Sequence, residues 1–182
     1  MKLSAVLLAV AIPGGLAWAD GERALSAGVG WATFSTLGTP PRRGQAPPTL
    51  TPDIGGALTV SYEQALSTEL LLRGELAGGM FYGGAERMQE KTSYALLGDA
   101  GVAFRLDVLA FVPYAFAGLG GVASGGGPID NGVDLAVVLG AGVDWLRSRE
   151  RSYGLEARLA SFGGDITVVT FGLRGTVRWG FL

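Results

Sequence analysis

The chain has 182 residues, with 31 glycines, 48% hydrophobic residues and a formal net charge of −2. This apolar content with so little net charge excludes a disordered chain, and the glycines follow no triplet, which excludes collagen. The sequence has no cysteine and no histidine, so it offers no disulfide framework and lacks the commonest general base and metal ligand. Its acidic balance also argues against nucleic acid as a partner.

The first residues have the organisation of an export signal. Lys2 supplies a short basic region, residues 3–12 are apolar, and the segment ends with the small-x-small pattern Ala-Trp-Ala. The interruption at residues 13–15 (Pro-Gly-Gly) leaves the apolar run too short to span a membrane. We therefore predict a cleaved secretory signal peptide over residues 1–19 and one mature domain over residues 20–182.

After this leader, eight segments alternate apolar residues with small or polar ones, which is the period of a β-strand. In chain order they run Leu25–Trp31, Ile54–Glu63, Leu70–Met80, Tyr94–Arg105, Val112–Val122, Leu135–Trp145, Tyr153–Ala160 and Val169–Phe181. Most are close to the 9–11 residues that a tilted strand needs to cross a bilayer. The predicted links are short after the second, fourth and sixth strands and longer after the first, third and fifth. Short turns alternating with long loops are typical of outer-membrane barrels.

Charge distinguishes the two faces of these strands. All charged residues within the segments fall in one phase, in equal numbers of acids and arginines: Glu63, Arg73, Glu75, Asp99, Arg105, Asp144, Glu156, Arg158, Arg174 and Arg178. The opposite phase is apolar and uncharged. Because the charged phase is otherwise mostly glycine, alanine, serine and threonine, it suits the interior of a narrow barrel, and the apolar phase suits lipid.

Aromatic residues gather near the predicted strand ends, as in the interfacial girdles of a membrane barrel. At the short-turn end the predicted girdle comprises Tyr62, Phe104, Tyr114, Trp145, Tyr153, Trp179 and Phe181, and at the opposite end Trp31 and Tyr94. This assignment places the even-numbered residues of Val112–Val122 on the outer surface.

The whole pattern resembles the small outer-membrane barrels of the OmpA/OmpX type. The resemblance rests on the leader, the eight alternating segments and the Pro-Tyr followed by a Gly-x-Gly strand within residues 112–121. It implies an eight-stranded, antiparallel, up-and-down transmembrane β-barrel in the outer membrane, with both chain ends in the periplasm. A structural or surface-interaction role is then expected, with a surface partner met through the loops around Pro40 and Arg87.

Three other functions were considered for such a barrel: a pore, a soluble ligand-binding protein and an enzyme. The interior charges form either an ion-pair network that plugs the barrel, which we favour because unpaired buried charge is costly, or a gated pathway through a narrow pore for small solutes. A soluble exported barrel of lipocalin type would need an apolar interior. Barrel enzymes of the outer membrane place a histidine in the active site, so the sequence predicts no enzyme, no cofactor and no metal site.

Overall fold

The computed structural model describes residues 21–38, 40, 42, 44–84, 92–106, 110–127, 129 and 132–180. The predicted signal peptide and the positions of Arg87 and Phe181 lie outside the described residues. No helix in the described part is long and apolar enough to cross a membrane.

Nine strands make up the described sheet. They are β1 (Arg23–Leu37), β2 (Thr49–Leu50), β3 (Ile54–Ala65), β4 (Leu70–Tyr82), β5 (Thr92–Arg105), β6 (Phe111–Gly125), β7 (Gly132–Leu146), β8 (Arg151–Phe162) and β9 (Ile166–Trp179). The eight long strands pair antiparallel in chain order, and β1 also pairs with β9, which closes the sheet. The two-residue β2 pairs only with the end of β1. The predicted eight-stranded, antiparallel, up-and-down barrel is confirmed.

The links between strands divide the barrel into two ends. Short links of residues 66–69, 106–110 and 147–150 connect strands at the end that also holds the first and last described residues. At the opposite end, the loop-side end, residues 38–53, 83–91, 126–131 and 163–165 join the strands. The alternation of short and longer links follows the predicted order, with a short last link.

The strands are staggered around the barrel. One row of paired residues leaves β1 and returns to it ten positions further along the same strand, through Leu25, Tyr62, Gly74, Ala100, Leu119, Val137, Ser161, Thr167 and Ser35. Strand number and stagger together set the diameter, and eight strands leave an interior just wide enough for side chains to fill. The interior is therefore expected to be packed rather than open.

The predicted outward phase is correct for seven of the eight long strands, whose large outward apolar side chains are exposed. It is wrong for β6. There Leu119 is 69% exposed, whereas Tyr114 and Phe116 are 8% and 6% exposed and lie inside the barrel. Tyr114 therefore does not belong to the outer girdle.

Glycines on the neighbouring strand explain the orientation of β6. Tyr114 pairs with Gly142 and Phe116 pairs with Gly140. A Cβ atom on Gly142 would lie 2.3 Å from the Tyr114 hydroxyl oxygen, and one on Gly140 would lie 2.2 Å from the Phe116 ring. The two rings occupy the interior space that these glycines leave free.

Closure of the barrel between β1 and β9 depends on the absence of a side chain at Gly172. A Cβ atom there would lie 2.4 Å from the Val29 carbonyl oxygen, a contact that requires the backbone to move. We expect Gly172→Ala to destabilise the barrel by about 1–3 kcal/mol through overpacking. Gly175→Ala is the matched control, because its Cβ would meet only Tyr153, at 3.9 Å. Thermal unfolding measures both, and equal melting temperatures would contradict this account.

Candidate functional site: the barrel interior

The interior has two layers of different chemistry. The loop-side layer is apolar and is made of Phe34, Phe81, Leu97, Val122, Val138, Phe162, Ile166 and Val168. Phe34 and Phe81 pack edge to face with ring centroids 5.2 Å apart. The void left in this layer is about 20 Å³, which is room for about one water molecule.

The second layer, nearer the short turns, is ionic, and Arg73 lies in its middle. Its guanidinium contacts three carboxylates on three strands: Glu63 at 3.3 Å, Glu75 at 2.5 Å and Glu156 at 2.9 Å. It also lies 3.7 Å from the centroid of the Phe116 ring, a cation–π distance. Because β4 and β8 are four strands apart in the ring of eight and therefore face each other, the Arg73–Glu156 pair crosses the lumen.

Arg174 on β9 makes a second set of ionic contacts, with the adjacent β8 and with β3 on the far side of β1. It donates to Glu63 at 2.9 Å and to Glu156 at 3.1 Å. Its guanidinium carbon lies 4.6 Å from the centroid of the Tyr114 ring, whose hydroxyl donates to Glu156 at 3.0 Å. Glu156 therefore accepts from two arginines and one tyrosine, so its buried charge is fully compensated.

The remaining pairs tie the ionic layer to the barrel wall and to the start of β1. Arg178 donates to Asp144 at 2.9 Å, and Arg158 pairs with Glu75. Arg105 makes a two-pronged contact with Glu22, at 2.7 and 3.0 Å.

Nine of the ten predicted interior charges join this network of ion pairs. Asp99 is the exception: it is half-buried and has no ion-pair partner within 4.0 Å among the described residues. Glu22 pairs with Arg105 and Arg178 and is the fifth acid of the network, which therefore contains five acids and five arginines. Sequence reasoning missed Glu22 because it precedes the first predicted strand, although it shares the inward phase of Ala24 and Ser26.

The other predicted girdle residues within the described chain all lie on the outer surface. The exposed residues are Trp31, Tyr62, Tyr94, Phe104, Trp145, Tyr153 and Trp179. Two aromatic pairs connect neighbours at the short-turn end: Tyr62 with Trp179, with centroids 6.4 Å apart, and Trp145 with Phe111, with centroids 6.2 Å apart. Phe111 was not among the predicted girdle residues, because the predicted segment begins at Val112 and leaves Phe111 in the preceding link.

The arrangement can neutralise and close the lumen. Every acid in the network faces at least one arginine. The Arg73–Glu156 pair crosses the lumen from β4 to β8, and Arg174 joins Glu156 to Glu63 on β3. Within the described ranges, no three potential metal ligands are grouped so that they could hold an ion.

Glu156 offers a direct test of the network. Glu156→Gln keeps the shape of the side chain but removes the charge that compensates Arg73 and Arg174. We expect a loss of about 3–5 kcal/mol, the usual cost of removing one partner of a buried ion pair. Glu69→Gln in the exposed β3–β4 turn is the control and should change little. Equilibrium unfolding in urea distinguishes them, and an unchanged midpoint for Glu156→Gln would show that the network is not structural.

The barrel is similar to solved outer-membrane proteins. Ail, the attachment invasion locus protein of Yersinia pestis, solved with the heparin analogue sucrose octasulfate, has a TM-score of 0.59 and 14% identity over 88% of this chain and 99% of its own. Neisserial surface protein A has a TM-score of 0.59 and 11% identity, covering 88% and 100%. OprG from Pseudomonas aeruginosa has a TM-score of 0.55 and 12% identity, covering 86% and 96%.

Sequence comparison adds no relative: no protein-family model and no curated protein matches the chain. The structural likeness therefore concerns the fold. The chain has the fold of small, eight-stranded, transmembrane outer-membrane β-barrels.

Proposed function

We propose that this protein is a non-catalytic outer-membrane barrel with a closed interior, exported by a cleaved signal peptide, that acts through its outer and loop surfaces. The observation that carries the proposal is the ion pair across the lumen, Arg73 to Glu156, in which Glu156 also binds Arg174. A barrel closed in this way contributes to membrane integrity or to surface contact rather than to passage of solutes. The short turns then face the periplasm.

The outer surface supports the membrane location. Most of the large apolar side chains on it are exposed, by between 37% and 89%, and between the two rims the outward positions of the described strands carry no charge. A soluble protein rarely exposes an apolar surface that continues around its whole circumference. In a bilayer the same surface is buried in lipid.

The interior argues against both alternatives. A lipocalin-like barrel needs an apolar cavity, but the apolar layer here leaves a void of only about 20 Å³. A pore needs an open, unneutralised path, but the side chains of Arg73, Glu75 and Arg174 are at most 5% exposed.

Bilayer recordings test the closed interior. We expect the purified protein, once reconstituted, to give no discrete conductance steps, because the ionic layer fills the cross-section. The same preparation should shift its gel mobility on boiling, which verifies that the recorded protein is a folded barrel. Reproducible steps from heat-shifting protein would favour the narrow pore.

Charge placed on the outer surface tests the membrane location. Leu119→Arg lies near the middle of β6, and we expect it to cost about 2–4 kcal/mol in a bilayer. Leu135→Arg, near the loop-side rim and 89% exposed, is the matched control and should cost about 0–1 kcal/mol. The measurement is unfolding by guanidinium in phospholipid vesicles. Equal and small effects would contradict burial of this surface in lipid.

A further inference from the structure

Arginines and a groove lie together on the outer wall at the short-turn end. Three successive rows of outward residues cross β7, β8, β9 and β1 there. From the rim inward they are Arg147, Arg151, Val177 and Leu25; then Trp145, Tyr153, Gly175 and Ala27; then Val143, Leu155, Leu173 and Val29. The wall therefore changes from cationic to aromatic to aliphatic within three rows.

The groove lies where the middle row contains small residues. Gly175 and Ala27 form its floor, and Trp145, Tyr153 and Leu173 form its sides. Its volume is about 810 Å³, within the range of ligand sites. The lining is almost entirely apolar, so the groove suits a hydrocarbon chain.

At the rim above the groove, Arg147 and Arg151 form no ion pair with a described residue. The Arg147 amide donates to the Arg151 carbonyl at 3.0 Å, so the two residues face each other at the end of the β7–β8 hairpin. Like charges directly opposite each other are destabilising. Both side chains are exposed, and within the described chain neither has an acidic partner within 4.0 Å, although Glu150 lies in the same turn. An anion placed between them would remove the repulsion, and guanidinium groups bind phosphate particularly well.

The charge is confined to this side of the rim. Arg149 lies in the same turn, and Arg23 pairs with Trp179 on the adjoining strands. The β3–β4 turn, residues 66–69, contains Glu69 and no cation. A general attraction to anionic membranes would not require the basic residues to lie at the rim beside the apolar groove.

We propose that this surface binds an anionic phospholipid, with the phosphate held between Arg147 and Arg151 and one acyl chain lying over Gly175 and Ala27. The proposal rests on the membrane location argued above. The order of the three rows matches the order of headgroup, interface and hydrocarbon along a phospholipid. The bound lipid belongs to the leaflet at the short-turn end.

Quenching of Trp145 by brominated lipid measures this binding. In a W18F/W31F/W179F background Trp145 is the single tryptophan, and it lies in the side of the groove. In vesicles of phosphatidylcholine, a small fraction of brominated phosphatidylglycerol should be enriched at Trp145 about fivefold over brominated phosphatidylcholine at the same fraction. In R147Q/R151Q the two brominated lipids should quench Trp145 equally, which corresponds to an enrichment ratio of one.

Two further variants separate the parts of the site. G175L fills the floor of the groove but leaves both arginines, and should lower the enrichment, whereas R42Q removes a charge at the opposite end and should leave it unchanged. A boiling-dependent gel shift verifies that each variant is folded, and G175L keeps the test decisive if R147Q/R151Q does not fold.

The outcomes also separate this proposal from the proposed function. Equal quenching by the two brominated lipids would overturn the lipid site and leave the membrane location intact. An effect of R42Q as large as that of R147Q/R151Q would overturn it as well, since it would show a general charge effect. Failure of both lipids to quench Trp145 would instead contradict the membrane location itself.

Discussion

Neutralisation of charge inside a narrow barrel is the constraint on which the rest of this structure depends. Removing an ion from water costs several kcal/mol unless a partner compensates it. Arg73 meets this requirement with three carboxylates and an aromatic face. Those contacts come from β3, β4, β6 and β8, so satisfying one guanidinium fixes the relative positions of half the wall.

The two interior layers are held together by different interactions. Under the loops, phenylalanine and aliphatic side chains fill the lumen by packing, as in the core of a soluble protein. Below them, ion pairs join the inner faces of the strands, and their geometry is directional and their loss exposes uncompensated charge. The apolar layer also limits the access of water to the ionic layer, which strengthens the ion pairs because the local dielectric constant is low. Each layer therefore supports the other.

The barrel and most of its ionic layer could be predicted from the sequence, because both follow from the alternation of inward and outward residues along each strand. Where a strand contains charged residues, they identify its inward face, as Arg73 and Glu75 do for β4. On β6 no charge is present, and apolar content alone favoured the wrong face. The decisive information is that Tyr114 lies beside Gly142 and Phe116 beside Gly140, which depends on the register between strands. For a related reason, Glu22 joins the ion-pair network and Asp99 does not. Which side chains meet inside the barrel depends on the stagger and tilt of the strands, which the sequence of one strand does not contain.

Small residues of β8, β9 and β1 contribute both to the barrel interior and to the outer groove. A Cβ atom on Gly154 would lie 2.3 Å from the Asp144 carboxylate, so the inner surface needs a glycine there to accommodate the ionic layer. Gly175, one residue beyond Arg174 on β9, faces outward, and there no comparable contact requires a glycine. An interior constraint explains the first glycine but not the second. The outer groove therefore calls for an explanation outside the barrel, and lipid is the component that a membrane barrel meets on that surface.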